Sequence, residues 1–313
     1  MTLRTCITRV WDETPEIKCF ELRAMEGVLP PVQPGAHIDV HLGNGLTRQY
    51  SLWNGPTETA YFIGVKREPQ SRGGSAAMHR LIAGQVLEIG EPRNNFPLAE
   101  TSGLSLLLAG GIGITPLLSM LRFLEAQNRP VQLHFFSRSV TLSPFRALLD
   151  GKPNVTQHVD LLPPRLDGIL LNILSGRQSD DHVYICGPAR FMELAQAIAG
   201  ASGWPAVQIH LEYFTAENRS GGTADTEFEL VLHKSAKRLT VNRDQTIIVA
   251  LREAGIEILT SCEQGVCGTC VTAVVEGEPD HRDVYFNAEE RASGKLITPC
   301  VSRCKGKRLV LDL

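Results

Sequence analysis

Four cysteines near the carboxyl end of the chain have a spacing that suits an iron–sulfur cluster. Cys262, Cys267 and Cys270 follow the pattern C-x4-C-x2-C, and Cys300 comes later in the sequence. Plant-type 2Fe-2S clusters take their thiolate ligands from this arrangement, because soft anionic sulfur must reach the iron from several directions. Glycines within the loop leave room where a Cβ would obstruct the bridging sulfides. The spacing therefore predicts a 2Fe-2S cluster and the transfer of single electrons.

A zinc site and a disulfide pair are the alternative uses of these residues. Zinc sites usually contain the pair C-x2-C twice, whereas this loop contains it once. Eight cysteines in a chain whose amino terminus lacks the apolar segment of a secretory signal fit a reducing compartment, where thiols remain available for metal. We interpret the other cysteines as small buried apolar residues, namely Cys6, Cys19, Cys186 and Cys304.

A glycine-rich turn follows an apolar strand in the middle of the chain. The strand Leu104–Ala109 leads into Gly110-Gly-Ile-Gly-Ile-Thr-Pro116, and a helix is predicted from Thr115 to Gln127. Such glycines let the backbone approach a pyrophosphate at the helix N-terminus. Cys186-Gly-Pro188 follows a later strand in the same way. The pattern is not G-x-G-x-x-G, so a tight turn without a ligand stays open at this point.

Two local patterns in the amino-terminal part suit a flavin phosphate. One ends a strand with a basic residue, an aromatic ring and a hydroxyl, and the other leads from a lysine into a helix predicted from Ser75 to Ala83. A guanidinium can pair with phosphate, and amides at a helix N-terminus can bind an anion. Each pattern alone is also typical of an ordinary surface strand or turn. The residues concerned are Arg48, Tyr50, Ser51, Lys66, Gly74 and Ser75.

The elements that must position these residues divide into three predicted domains. Residues 1–100 show short alternating strands separated by Gly and Pro turns, which predicts an antiparallel β-barrel. Residues 101–215 alternate strands and helices, which predicts an α/β domain with a parallel sheet. A polar stretch predicts a linker at 216–226, and residues 227–313 form the cysteine-containing domain.

Composition indicates a soluble globular protein of 313 residues. The chain is 43% hydrophobic and 21% charged, with a formal net charge of −3, which gives no reason to expect nucleic acid as a partner. No apolar run is long enough to span a bilayer. We therefore expect no membrane association, a cytoplasmic location and, since electron shuttling needs no oligomer, a monomer.

The three patterns occur in one order, and in that order the chain resembles the phthalate dioxygenase reductase family. These patterns are Arg48-x-Tyr50-Ser51, then the turn Gly110–Pro116 with Cys186-Gly-Pro188, then the cysteine set. The resemblance covers essentially the whole chain. It implies a multidomain protein with an antiparallel β-barrel that binds FMN, an α/β parallel-sheet domain that binds NADH, and an α+β β-grasp ferredoxin-like domain that carries the 2Fe-2S cluster.

The resemblance also implies roles for individual residues. The six residues named above would hold FMN, and no catalytic acid or base is required. Phe214, in the ending Glu212-Tyr-Phe214, would lie over the flavin ring, with Cys186 also near the contact between flavin and nicotinamide. The nicotinamide dinucleotide site would be lined by Gly111, Gly113, Thr115, Cys186 and Pro188.

The implied function is that of the reductase component of a Rieske-type oxygenase system. A hydride from NADH would reach FMN, and single electrons would pass through the cluster to a terminal oxygenase that docks near Cys262 and Cys267. That oxygenase would act on an aromatic carboxylate or a methoxy-aromatic compound. Two alternatives remain: a free-standing flavin or quinone reductase, and a non-enzymatic electron carrier or redox sensor.

Coenzyme preference gives a first testable prediction. The segment Phe135–Arg138 follows the second strand of the parallel sheet and contains no acidic residue for a ribose 2′-hydroxyl, and Arg138 could face a 2′-phosphate. The family nevertheless prefers NADH, so we expect kcat/KM to be higher for NADH than for NADPH. Steady-state kinetics with both coenzymes measure this. A preference of about tenfold or more for NADPH would contradict the prediction.

Overall fold

The protein is described by a computed structural model that covers residues 2–43, 46–69, 73–160, 163–214 and 226–313. Two compact units share the chain, Met1–Glu212 and Tyr213–Leu313. The predicted flavin and nucleotide domains therefore lie in one unit, and the predicted cluster domain lies in the other. Residues 216–225 of the predicted linker lie outside the described residues.

A six-stranded antiparallel sheet forms the first part of the first unit. Its strands alternate apolar and polar residues, so that one face is buried around Phe20, Ile38 and Ile63. The strands are β1 (Thr2–Thr14), β2 (Ile17–Ala24), β3 (His37–Leu42), β4 (Leu46–Ser51), β5 (Tyr61–Lys66) and β6 (Val86–Gly90). The strand order is β4-β3-β6-β1-β2-β5, and an antiparallel bridge between Leu52 and Ile63 joins the two edges of the sheet.

The helix between β5 and β6 is shorter than the sequence pattern predicts. It runs from Gly74 to Met78 (α1) and follows Gly73, which has a φ of 91°. Turns replace the predicted continuation to Ala83, because the chain must return to β1. There the amide of Gly84 donates to the carbonyl of Ile7 at 2.8 Å. The first residue of α1 is nonetheless close to its predicted position.

A five-stranded parallel sheet forms the rest of the first unit. Its order is β11-β10-β7-β8-β9, so that β7 and β10, which carry the two glycine turns, are neighbours. The strands are β7 (Ser105–Gly110), β8 (Val131–Ser137), β9 (Val155–Val159), β10 (His182–Cys186) and β11 (Ile209–Glu212), and the helices are α2 (Ile114–Ala126), α3 (Arg146–Leu149), α4 (Pro163–Leu174) and α5 (Ala189–Ala201). Every residue of β7 is buried, as expected for a strand covered on both faces.

The sequence patterns do not predict one strand and one helix of this region, and they predict a second helix that is longer than the one observed. Strand β9 and helix α4 were not predicted, since β9 is a partly exposed edge strand with no clear apolar alternation and α4 begins with two prolines. The residue pattern of the sequence predicts a helix from Leu142 to Asp150 at the place of α3. Phe145 has a φ of 61°, however, which interrupts the helical path before Arg146.

Specific contacts join the two sheets of the first unit. Arg122 on α2 forms two hydrogen bonds with the Glu58 carboxylate, at 2.8 and 3.0 Å, and a third with the carbonyl of Trp53 at 3.2 Å. Ser119, one turn before, donates to the carbonyl of Asn54 at 3.0 Å. Helix α2 is therefore attached to the loop that connects β4 and β5, and this attachment aligns the two predicted cofactor sites.

The second unit combines a mixed sheet with short helices. Its main sheet has the order β13-β12-β18-β14-β16, in which β12 and β18 are parallel and the other pairs are antiparallel. The buried Arg303 donates to carbonyls of Thr226, Asn242 and Gln245. The elements are β12 (Phe228–Leu232), β13 (Arg238–Val241), α6 (Ile247–Glu253), β14 (Thr272–Glu276), β15 (Pro279–Asp280), α7 (Ala288–Ser293), β16 (Leu296–Ile297), β17 (Arg303–Cys304) and β18 (Arg308–Leu311).

Within the described ranges, no helix combines the length and apolar character needed to cross a membrane.

Acid is expected to destabilise the first unit in part through His37. Burial, reinforced by the charge of Arg93 and partly opposed by Asp39, lowers the pKa of His37 to about 4. The folded-state pKa lies below the ordinary value of 6.5, so the unfolded chain takes up the proton first as the pH falls. This group therefore stabilises the folded state fully above about pH 6.5. As the pH falls from about 6.5 to about 4, the free energy of unfolding decreases by about 3 kcal/mol through this group.

Urea unfolding followed by tryptophan fluorescence measures this loss, because Trp11, Trp53 and Trp204 all lie in the first unit. We expect His37→Gln to flatten the pH dependence between pH 6.5 and 4. The control His233→Gln changes an exposed residue of the second unit and should leave the dependence unaltered. Equal slopes for the wild type and His37→Gln would show that the prediction is wrong.

Candidate functional site

The four cysteines predicted as ligands are brought together in the second unit. Each is buried, with 5–8% of its surface exposed. Cys270 and Cys300 belong to one buried cluster, and electrostatic interactions couple the thiol of Cys262 to that of Cys267 and the thiol of Cys270 to that of Cys300. Charge interactions also link Cys300 with Cys262, so the two pairs belong to one group of sulfur atoms.

This pairing suits two iron atoms better than one zinc ion. Each iron of a 2Fe-2S cluster takes two protein ligands and shares the bridging sulfides, whereas structural zinc collects four ligands on one ion. Within each pair, the interaction between the two thiols lowers the pKa of one cysteine, Cys267 or Cys270, and raises the pKa of its partner, Cys262 or Cys300.

Backbone amides in the loop point at these sulfur atoms. The amide of Gln264 donates to the sulfur of Cys262 at 3.3 Å, and the amide of Thr269 donates to the sulfur of Cys267 at 3.5 Å. Gly265 and Gly268 both have a φ of +71°, a conformation that favours glycine. The loop therefore has the shape and the hydrogen-bond donors that a set of thiolates requires.

Two glycine turns meet at the carboxyl edge of the parallel sheet. A Cβ at Gly113 would collide with the carbonyl group of Cys186, and a Cβ at Gly110 would lie 2.9 Å from the ring of Pro188. Gly111, between them, has a φ of +54° and open space where its side chain would be. The structure thus joins the two predicted halves of the dinucleotide site and leaves Gly111 facing open space.

Thr115, whose place in the lining of the dinucleotide site stays a prediction, has well-defined contacts within the protein. Its side chain is buried, and its Oγ1 donates to the carbonyl of Ile112 at 3.0 Å. Its methyl group would lie 3.3 Å from a Cβ on Gly64 of strand β5. Thr115 therefore shapes the glycine turn and packs it against the antiparallel sheet.

Arg48 and Gly74 are in direct contact, as a shared phosphate site requires. A Cβ at Gly74 would lie 2.5 Å from Nε and 2.6 Å from Cγ of Arg48, so the arginine side chain crosses the first residue of α1. The guanidinium also donates to the carbonyl of Thr47 at 2.8 Å. Glycine at position 74 leaves the space in which a cation and backbone amides can face one anion.

Glu68 interacts with Lys66 and Ser75, two further residues of the predicted FMN site. Lys66 forms an ion pair with the Glu68 carboxylate at 3.0 Å, and the amide of Glu68 donates to Ser75 Oγ at 3.1 Å. A phosphate that used Lys66 would have to replace this carboxylate.

Tyr50, whose hydroxyl has a pKa raised by burial despite the opposing charge of Arg48, packs beside the apolar core of the antiparallel sheet.

Glu212 is a further polar residue of this site that the sequence patterns did not identify. Its carboxylate lies 3.5 Å from Ser51 Oγ, and strand pairing places it beside Cys186. Burial raises the pKa of Glu212 to about 8, although Ser51 opposes the shift. Burial and the charge of Glu212 raise the pKa of the Cys186 thiol. The one sequence signal was its position at the start of the ending Glu212-Tyr-Phe214.

Phe214 is 38% exposed and belongs to the second compact unit. Its place over a flavin ring in the first unit stays a prediction.

Comparison with known proteins identifies the cluster region first. Residues 231–305 match the family described as the 2Fe-2S iron-sulfur cluster binding domain. This match covers most of the second unit and includes all four cysteines of the pairs described above, so it confirms the predicted 2Fe-2S cofactor.

Similar proteins span essentially the whole chain. Vanillate O-demethylase oxidoreductase from Pseudomonas sp. (strain HR199 / DSM 7063) is 45% identical over 93% of each chain. The carnitine monooxygenase reductase subunit of Escherichia coli (strain K12) is 38% identical over 98% of this chain and 97% of that protein. The solved structure of phthalate dioxygenase reductase, a modular protein for electron transfer from pyridine nucleotides to [2Fe-2S], covers 100% of this chain and 98% of its own, with a TM-score of 0.79 and 35% identity. The chain therefore belongs to the phthalate dioxygenase reductase family of oxidoreductases.

Proposed function

We propose that this protein is the NADH-dependent reductase of a Rieske-type oxygenase system. FMN would bind in a barrel formed by residues 1–100, NADH in the α/β domain of residues 101–215, and the cluster in a β-grasp domain of residues 227–313. The observation that carries the proposal is the set of four buried cysteines in a domain of the 2Fe-2S family. A cluster of this type delivers electrons singly, which a reductase that serves only two-electron acceptors does not need.

The residues of the first unit would bind and orient the two nucleotides. Arg48 and the amides beside Gly74 would hold the FMN phosphate, and Gly111 and Gly113 would let the dinucleotide lie close to the backbone. Ser51, Cys186 and Glu212 line the junction between the two sheets, where they can orient a nicotinamide. When bound, FMN supplies the exchange of one electron pair for single electrons.

The surroundings of Arg138 support NADH as the coenzyme. Its guanidinium forms an ion pair with Glu16 at 3.1 Å. An arginine that already has a carboxylate partner is a weaker ligand for a 2′-phosphate, because Glu16 repels a second anion.

The proposed partner is a terminal oxygenase that receives electrons at the surface near Cys262 and Cys267. Relatives of this chain are named for vanillate O-demethylase and carnitine monooxygenase. The higher identity is to the vanillate protein, so we propose a methoxy-aromatic compound or an aromatic carboxylate as the substrate of the partner. A cytoplasmic monomer is the proposed state of the reductase.

Removal of one cluster ligand is expected to stop electron transfer to the oxygenase without stopping the oxidation of NADH. Cys270→Ser should abolish electron transfer to the oxygenase component of vanillate O-demethylase, while NADH oxidation with ferricyanide, which can draw electrons from flavin, continues. Cys304→Ser is the matched control, since Cys304 is also buried in the second unit but donates to the carbonyl of Arg308. Full oxygenase turnover by Cys270→Ser would favour a free-standing flavin reductase.

Loss of the guanidinium at position 48 is expected to weaken FMN binding. A hydrogen bond to a charged group contributes about 1.5–3 kcal/mol, so Arg48→Ala should raise the Kd for FMN by about 10- to 100-fold. Gly74→Ala should act in the same direction, because its Cβ would displace the arginine. Fluorescence titration of apoprotein with FMN measures both. Arg23→Ala removes an exposed arginine of the same sheet that is paired with Glu21 and should leave the Kd unchanged; an unchanged Kd in Arg48→Ala as well would contradict the assignment.

A further inference from the structure

Asp283 is a fully buried carboxylate that lies against the cysteine loop without belonging to the ligand set. Its exposure is 0%. One carboxylate oxygen accepts from the amide of Phe286 at 2.9 Å, and the other lies 3.2 Å from Ser302 Oγ and 3.3 Å from His281 Nδ1. A buried carboxylate with several donors holds those donors firmly, because loss of any one leaves charge without compensation.

Ser302 connects this carboxylate to the fourth cysteine. Its amide donates to the carbonyl of Thr298 at 3.0 Å, and its hydroxyl lies 3.0 Å from Thr298 Oγ1. Both residues are fully buried. The turn that they close contains Cys300, so the hydrogen bond between Ser302 and Asp283 attaches the carboxylate to the turn of the fourth ligand.

The backbone beside Asp283 connects to the loop of the other three cysteines. The amide of Val284 donates to the carbonyl of Gly265 at 3.0 Å. A Cβ at Gly265 would lie 3.0 Å from the Cα of Asp283, so the loop rests directly on this residue. The amide of Gln264, next to Gly265, donates to the sulfur of Cys262 at 3.3 Å. A chain of contacts therefore runs from the Cys300 turn through Ser302, Asp283 and Gly265 to the amide that faces the Cys262 sulfur.

We propose that Asp283 is a positioning residue for the cluster: it holds the three-cysteine loop against the Cys300 turn and, through Gly265, positions the neighbouring Gln264 amide that donates to the Cys262 sulfur. The inference rests on the proposed function, in which these cysteines carry electrons. Hydrogen bonds to cluster sulfur stabilise the reduced, more negative form and so raise the reduction potential. Asp283 thereby affects both the retention of the metal and the potential at which the cluster accepts an electron.

Four variants of the full-length protein test this role: Asp283→Asn, Ser302→Ala, the double variant and the control Asp280→Asn. Asn keeps the shape of Asp283 but can offer only one acceptor, and Ser302→Ala breaks the connection without changing any charge. Asp280, on the neighbouring strand β15, pairs through its carboxylate with Arg282 at 2.8 Å. The measurements are cluster loss to a chelator by visible absorbance, the EPR spectrum of the reduced cluster, and its midpoint potential.

We expect Asp283→Asn and Ser302→Ala each to lose the cluster about tenfold faster than the wild type and to alter the EPR spectrum. Ser302→Ala should also lower the midpoint potential, because the loop that directs the Gln264 amide at the Cys262 sulfur is held less firmly. The double variant should lose the cluster no faster than the more affected single variant, since both changes break one connection. Asp280→Asn should match the wild type in all three measurements.

An unchanged rate, spectrum and potential in both single variants would overturn the inference. Lower thermal stability with an unchanged EPR spectrum would assign Asp283 a structural role alone and would also overturn it. If Asp283→Asn were recovered without iron, Ser302→Ala would decide the question, and wild-type behaviour of that variant would count against the proposal. Wild-type protein without iron or acid-labile sulfide would instead remove the proposed function, and this inference with it.

Discussion

Four sulfur atoms from two separate stretches of chain must be held together as two pairs, and the second unit is built around this requirement. Thiolates repel one another and are costly to bury, so the protein must supply hydrogen bonds and a rigid loop. Glycines at 265 and 268 let the loop turn while its amides face the sulfur atoms. Metal binding then adds its own free energy to a site whose ligands are already close together.

The first unit meets a different constraint, which is to bring a flavin site and a dinucleotide site to one junction. Helix α2 carries the glycine turn at its start and is bonded through Arg122 and Ser119 to the loop between β4 and β5. Ser51, Cys186 and Glu212 come from three strands of two sheets and meet at this junction. The environment of the partly buried Glu212 carboxyl at that place raises its pKa to about 8, which favours the neutral form of this group.

The residues proposed to bind the FMN phosphate differ in their contacts within the protein. Lys66 pairs with the Glu68 carboxylate and Ser75 accepts from the Glu68 amide, whereas Arg48 lies against Gly74. A phosphate bound by Lys66 would compete with the Glu68 carboxylate for that lysine. Arg48 and Gly74 are therefore the more firmly positioned part of the proposed FMN site.

Local chemistry was readable from the sequence, because cysteine spacing, glycine turns and strand alternation depend on residues close together in the chain. The cluster ligands, the family and the order of the two sheets followed from such patterns. Strand β9, helix α4 and the early end of α1 did not, since an edge strand is only partly buried and the ends of helices depend on where the chain must go next. The pairing of the cysteines, the contact between Arg48 and Gly74, and the roles of Glu212 and Asp283 were decided by tertiary structure alone. Each of these depends on residues distant in sequence that share a buried space, where hydrogen bonds and charge are determined by neighbours that no local pattern contains.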